Sequence, residues 1–204
     1  MEIRLIQTPQ EGTNCYILCD EKKKLCAIID PGGIPDRIAG DVESNGYTPC
    51  AIMLTHGLYD HTNGVAALQE KWPEVPVYLN QRDVYMDDPK MQRLFPVVHN
   101  TKNYDEGDTI QVGELEVTVL ATPGHSEGSV VLRCGEILFC GDTLFAGSMG
   151  RTDFAGGSTK KIMNSLKRLA NLEGNFAVLP GHMGTSDLES ERKTNPYMQQ
   201  ALRF

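Results

Sequence analysis

Residues 50–61 read CAIMLTHGLYDH, and both the fold and the chemistry of the chain turn on them. CAIML is a short, unbroken apolar run with no polar face, the pattern of a strand buried on both sides. It stops at Thr55-His56, and Asp60-His61 follow at once. Polar side chains are thus delivered just beyond the carboxyl end of a buried strand, where ligand sites of α/β sheets gather. Three further segments repeat the placement: ATPGH (121–125) follows ELEVTVL, GD (141–142) follows EILFC, and GH (181–182) follows FAVLP. Four of the five histidines fall in these segments.

Upstream, NCYILC (14–19) and LCAIID (25–30) are β-rich runs around the charged DEKKK and read as a hairpin stopped by PGG at 31–33. Ile34, Ile38 and Val42 recur every four residues, predicting an amphipathic helix that ends near Gly46. A second helix is expected from about Thr62, with Val65 and Leu68 inward, ending before Pro73. VPVYL (75–79) reads as a strand, and 81–103 as one short helix followed by loop. TIQV, ELEVTVL, SVVLRC and EILFC are strands divided by turn residues. Residues 141–157 hold five glycines and read as a long functional loop. Ser158 is placed to cap a helix with Ile162, Leu166 and Leu169 inward; FAVLP (176–180) is a last strand, and the polar tail from 186 is partly helical. The alternation predicts an α/β protein of two packed sheets with helices outside. With no repeat or linker to divide them, residues 1–204 read as one domain.

Composition narrows the function. Asp and Glu number 27 against 19 Lys and Arg, a formal charge of −8. That balance argues against a nucleic-acid coat protein, and a small-molecule substrate is expected instead. No run approaches the roughly 18 consecutive apolar residues of a membrane span. The start, MEIRLIQTPQ, lacks the apolar core of an export signal. The six cysteines form no CxxC pair and mostly sit in apolar runs, so they read as small buried thiols in a reduced, cytoplasmic setting.

Imidazole and carboxylate are ordinary ligands of zinc and iron. His56, Asp60 and His61 share one turn, while His125, Asp142 and His182 arrive from elsewhere. A carboxylate reached by two ions can bridge them, and ions about 3.5–4 Å apart can hold a hydroxide and polarise a carbonyl. His99, in VVHN, stands outside the pattern and reads as a surface or packing residue. Arg151 and Asp153, in GRTDF, read as a salt bridge steadying the loop. No GxxxxGK[ST], early GxGxxG or GxSxG is present.

IIDPGG, LTHGLYDHTNGV, ATPGHSEGS, LFCGDTLFAGSMGRTDF, LPGH and ERKTNPY occur in that order, and together they resemble the metallo-β-lactamase-fold hydrolases, in particular the short glyoxalase II-like (hydroxyacylglutathione hydrolase-like) branch. The resemblance implies a four-layer αβ/βα sandwich, two mixed sheets with outer helices, and metals at one edge. It implies that Asp30 orients a metal-binding histidine. By resemblance, one ion uses His56, position 58, His125 and the bridging Asp142; the other uses Asp60, His61, His182 and the same Asp142.

The family pattern HxHxDH is broken, because Leu58 stands where the second histidine belongs. Three readings follow. The chain is a hydrolase with one or two Zn2+ ions, in which Asp60 acts as the catalytic residue and orients a metal-bound hydroxide towards a thioester or ester. Alternatively it is a mononuclear Fe2+ persulfide dioxygenase-like enzyme on His56, His125 and Asp142, a 2-His-1-carboxylate set. In the third reading it is a metal-depleted, non-catalytic homologue. The hydrolase is favoured because every other ligand position and the 141–154 loop are intact.

Overall fold

The alternation of side chains along the central strands builds the layers. The computed structural model describes residues 1–203. Its first sheet has the order β1 (Glu2–Gln7), β2 (Asn14–Asp20), β3 (Leu25–Ile29), β4 (Thr48–Met53), β5 (Val77–Tyr78) and β6 (Thr101–Lys102). From β3 onward these strands run parallel, while β1, β2 and β3 pair antiparallel. The second sheet has the spatial order β14 (Ser186–Asp187), β13 (Ala177–Pro180), β10 (Ile137–Gly141), β9 (Val130–Cys134), β8 (Leu115–Ala121) and β7 (Thr109–Val112). Only β10 and β13 are parallel there, so both sheets are mixed.

Odd and even positions go to different cores. Tyr16, Leu18, Ala27, Ile29, Ala51 and Met53 meet Val117, Val119, Val130, Leu132 and Phe139 between the sheets. Cys15, Ile17, Cys26, Ile28 and Ile52 face the other way, onto α1 (Pro35–Ser44) and α3 (Val65–Lys71) through Ile38, Val42, Val65 and Leu68. Val131, Leu138, Cys140 and Val178 face α4 (Thr159–Ala170) and the C-terminal helices through Leu166, Leu169, Met198 and Ala201. Each fully buried Ile, Leu or Phe contributes about 1.5–3 kcal/mol, so the three apolar layers hold the sheets to one another and to the helices. The result is helix, sheet, sheet, helix, the expected four-layer α/β sandwich.

Local differences have physical causes. The helix expected from Thr62 is two pieces, α2 (Tyr59–Thr62) and α3. It breaks at Asn63-Gly64 because the Gly64 amide donates to the Pro31 carbonyl at 2.8 Å, and a Cβ there would lie 2.6 Å from that oxygen. In place of one helix, 81–103 forms two single 3-10 turns, Gln81–Asp83 and Met91–Arg93, and then β6. The glycine-rich loop contains a small hairpin, β11 (Leu144–Phe145) with β12 (Ser148–Met149). The tail is more helical than expected. Asp187 accepts from the Ser190 amide to start α5 (Leu188–Thr194), and Asn195 accepts from the Tyr197 and Met198 amides to start α6 (Pro196–Arg203). All six cysteines are free; five are buried and Cys50 is half-buried. Among the described residues no helix is long and apolar enough to cross a membrane.

Candidate metal centre

His56, Asp60 and His61 lie on the turn and short helix after β4. His125 lies after β8, Asp142 after β10 and His182 after β13. All six side chains converge at one edge of the two sheets. His61 Nε2 is 3.3 Å from Asp142 Oδ1 and 3.3 Å from His182 Nε2. Asp142 Oδ2 is 3.5 Å from His125 Nε2 and 3.6 Å from His182 Nε2. Asp60 Oδ2 is 3.2 Å from His182 Nε2. The donor atoms of His56, His125 and Asp142 lie within 4.8 Å of one another, and so do those of Asp60, His61 and His182.

The partners of the imidazoles fix which nitrogen is free. His125 Nδ1 lies 2.7 Å from the Arg151 carbonyl, an acceptor, so Nδ1 carries the hydrogen. Thr55 Oγ1 spends its hydrogen on Asp30 Oδ2 at 2.6 Å, so His56 Nδ1 donates to Thr55 Oγ1 at 3.0 Å. His61 Nδ1 donates to Asp30 Oδ2 at 3.1 Å. Each of the three rings, when neutral, therefore turns a bare Nε2 into the cluster, the orientation that metal-binding histidines take from outer partners. His56 Nε2, His125 Nε2 and Asp142 Oδ1 are buried without a hydrogen-bond partner. Buried acceptors left unpaired are costly, and a shared cation is what such a set accommodates. The residues present therefore fit a metal ion.

Asp30 also groups with His56 and His61 at metal-binding distance. Its carboxylate, however, already accepts from the Thr55 amide (2.7 Å), Thr55 Oγ1 and His61 Nδ1, which makes it a brace and not a third ion site. It holds this place with φ +51°, a left-handed conformation uncommon outside glycine.

The charges are strongly coupled. Burial alone would raise the Asp142 carboxyl, but His61 and its neighbours hold it far below the usual range. Burial would lower His61, yet Asp142 and Asp30 outweigh it and hold the ring well above its ordinary value. His56, facing other imidazoles, is pushed well down, chiefly by burial. For His182, burial is outweighed by the hydrogen bond to Asp60 and by Asp142, and the ring is raised.

Leu58 is 4% exposed and walls a cavity of about 420 Å³ over the cluster. Tyr59, Phe145, Met149, Phe154 and Met183 supply more apolar wall. Arg151 also lines it, but its guanidinium is held by both Asp153 oxygens (2.6 and 2.7 Å) and stacks over Phe154. His99 is exposed and outside the cluster.

Three supports were not foreseen. Thr55 links Asp30 to His56. Asp83 is 2% exposed and accepts from Gly57, Ser126 and Gly128; burial raises its pKa despite those bonds. Glu191 accepts from the Gly147 amide (2.9 Å) and from Asn195 Nδ2 (2.8 Å), and the same Asn195 Nδ2 lies 3.0 Å from the Ser148 carbonyl. That pair ties α5 and α6 to the hairpin carrying Phe145 and Met149. Asp83 left no signal, since it is one more acidic residue in a polar stretch. ERKTNPY was singled out, but only as part of a resemblance.

The sequence profile of the Metallo-beta-lactamase superfamily matches residues 8–182. The chain is 34% identical over 196 residues to the probable metallo-hydrolase YqgX of Bacillus subtilis strain 168, covering 91% of this chain and 92% of that protein. It is 26% identical to the hydroxyacylglutathione hydrolase GloC of Haemophilus influenzae, covering 97% and 98%. Among solved structures, the BLEG-1 B3 metallo-beta-lactamase matches with a TM-score of 0.86 at 29% identity, over 97% of this chain and 99% of that one. TTHA1623 in a di-iron-bound form matches with a TM-score of 0.83 at 33% identity, over 95% and 99%.

Proposed function

The chain belongs to the metallo-beta-lactamase superfamily, and from that premise we propose that it is a metal-dependent hydrolase of a small thioester or ester. The observation that carries this reading is the set of three buried histidines whose Nδ1 atoms are all engaged as donors while their Nε2 atoms face Asp142. Zinc or iron held there would lower the pKa of a bound water towards about 7 and polarise a carbonyl. His56, His125 and Asp142 would hold one ion; Asp60, His61, His182 and the shared Asp142 would hold the other. Asp60, on the cavity wall, would accept a hydrogen bond from such a water and orient it towards the carbonyl. Phe145, Met149 and Phe154 seat the uncharged part of the substrate. The likeness to a hydroxyacylglutathione hydrolase supports a hydroxyacyl thioester as the substrate class. Zinc is the ion we favour; the di-iron form of TTHA1623 keeps iron beside it.

The test is anaerobic hydrolysis of a generic thioester by zinc- and iron-loaded protein, alongside Asp142→Ala. We expect turnover that this substitution abolishes together with bound metal. Hydrolysis persisting at the parental rate would overturn the site. One observation favours a second reading. With leucine at position 58, the first set is two histidines and one carboxylate, a donor set suited to non-haem iron and oxygen. Iron-dependent oxygen consumption with a persulfide, and no thioester turnover, would select it.

A further inference from the structure

We propose that Asp83 is the positioning residue of the His56–His125 half of the centre, holding the two loops that carry those histidines at the separation an ion requires. The proposal rests on the metal-binding part of the reading above. Asp83 Oδ2 accepts from the Gly57 amide at 3.0 Å and from Ser126 Oγ at 2.6 Å, and Oδ1 accepts from the Gly128 amide at 2.7 Å. Gly57 directly follows His56, and Ser126 directly follows His125. One carboxylate thus joins the two loops a single residue away from each imidazole.

The fit is close on both sides. A Cβ on Gly57 would lie 3.0 Å from Asp83 Cβ, and a Cβ on Gly128 would lie 2.7 Å from its carboxyl carbon. Glycine at both places lets the backbone amides reach the carboxylate. A buried carboxylate is a costly way merely to fill space, and the adjacent Arg82 is paired with Asp105 instead of with Asp83. Asp30 serves a different purpose. It aims the His56 and His61 rings through their Nδ1 sides, whereas Asp83 spans the gap between the β4 and β8 loops. That gap matters more here than where four protein donors surround the ion, because Leu58 leaves this half with only His56, His125 and Asp142.

The experiment is zinc titration of chelator-stripped full chain against a chromophoric chelator, read as stepwise affinities. His56→Ala and His182→Ala assign the steps. Asp83→Asn keeps the size but turns one acceptor into a donor facing a donor. It should weaken the His56-side step by about 10–100-fold, the scale on which groups behind metal ligands act, and leave the other step unchanged. Ser126→Ala removes one of the three bonds and should give a smaller loss of the same kind, which keeps the test open should the first variant not fold. Two unchanged steps in both variants would overturn the proposal. So would equal weakening of both steps with a lower metal-free Tm, which marks a merely structural role. A parental chain that takes up zinc only on the Asp60 side also overturns it while sparing the metal reading; one that takes up none overturns both.

Discussion

Gly181 has no room for a methyl group. It sits between Pro180 and His182, its amide donating to the Gly141 carbonyl at 2.8 Å and its own carbonyl accepting from the Asn14 amide at 2.7 Å. A Cβ there would lie 2.4 Å from Asp142 Oδ1 and 2.6 Å from His61 Cε1. Ordinary contact begins at 3.4 Å, so in Gly181→Ala each gap must widen by about 1 Å. The backbone is pinned on both sides, which leaves Asp142 and His61 to move. Metal–ligand distances tolerate only about 0.2 Å, so the displacement is several times what a bound ion allows. The overpacking itself costs about 1–3 kcal/mol, a fraction of the roughly 5–15 kcal/mol of a typical domain, so the variant should fold. At about 2–4 °C per kcal/mol for this size, Tm of the metal-free chain should fall by about 2–12 °C. Zinc per chain, by elemental analysis after equilibration with a fixed zinc buffer, should drop on both sides because Asp142 is shared. Parental zinc content at parental affinity would show that the position of Asp142 does not govern binding, and would refute the argument.

Other outcomes can be checked on the same protein. Leu58→His supplies a donor facing the cavity. Since groups merely behind ligands matter by about 10–100-fold, it should tighten the His56-side step at least tenfold; an unchanged chelator competition would mean the pocket has adapted around leucine. Asp30→Ala orphans the Thr55 amide, Thr55 Oγ1 and His61 Nδ1. At about 1–3 kcal/mol per buried unsatisfied group, urea unfolding of the metal-free chain should show a loss of at least about 3 kcal/mol. Against the effect of burial, Asp142 and Asp30 hold His61 above its ordinary pKa in the metal-free chain, which favours the protonated ring. Zinc needs the neutral ring, so uptake should release a proton and weaken as pH falls. Calorimetry in two buffers of different ionisation enthalpy measures this, and zero release would contradict it.

The central strands were readable because their alternation is strong. Ile17 and Leu18, or Leu138 and Phe139, each send neighbours to opposite cores, and short β-rich runs between turn residues carry that pattern locally. The placement of His56, Asp60, His61, His125, Asp142 and His182 at strand ends was readable for the same reason. Contacts made across the chain were not. The break at Gly64 depends on Pro31, more than thirty residues away, and the two-residue strand β6 exists only because β5, the strand expected in VPVYL, offers it an edge. Asp83 illustrates the harder case. Nothing in QRDVY separates a buried brace from a solvated acid, because its burial is made by Gly57 and Gly128. Glu191 and Asn195 stood in a recognised motif, yet their task of anchoring the β11–β12 hairpin appears only when the tail folds back onto it.

The six donors are divided equally between the sheets, three following β4 in the first and three following β8, β10 and β13 in the second. An ion gripping both groups would therefore act as a removable clasp across a seam that is otherwise closed by apolar side chains and by a few hydrogen bonds such as Tyr16 to the Pro180 carbonyl and Asn14 to Gly181. Saturation at a hundred times the dissociation constant adds about 2.7 kcal/mol to the folded state, and here that increment falls on the seam itself. Chelation should thus loosen the mouth of the sandwich before its far edge, with amide exchange quickening first at residues 54–62 and 141–150. With an ion bound there, the chain's rigidity at its working end would become a function of the metal supply around it.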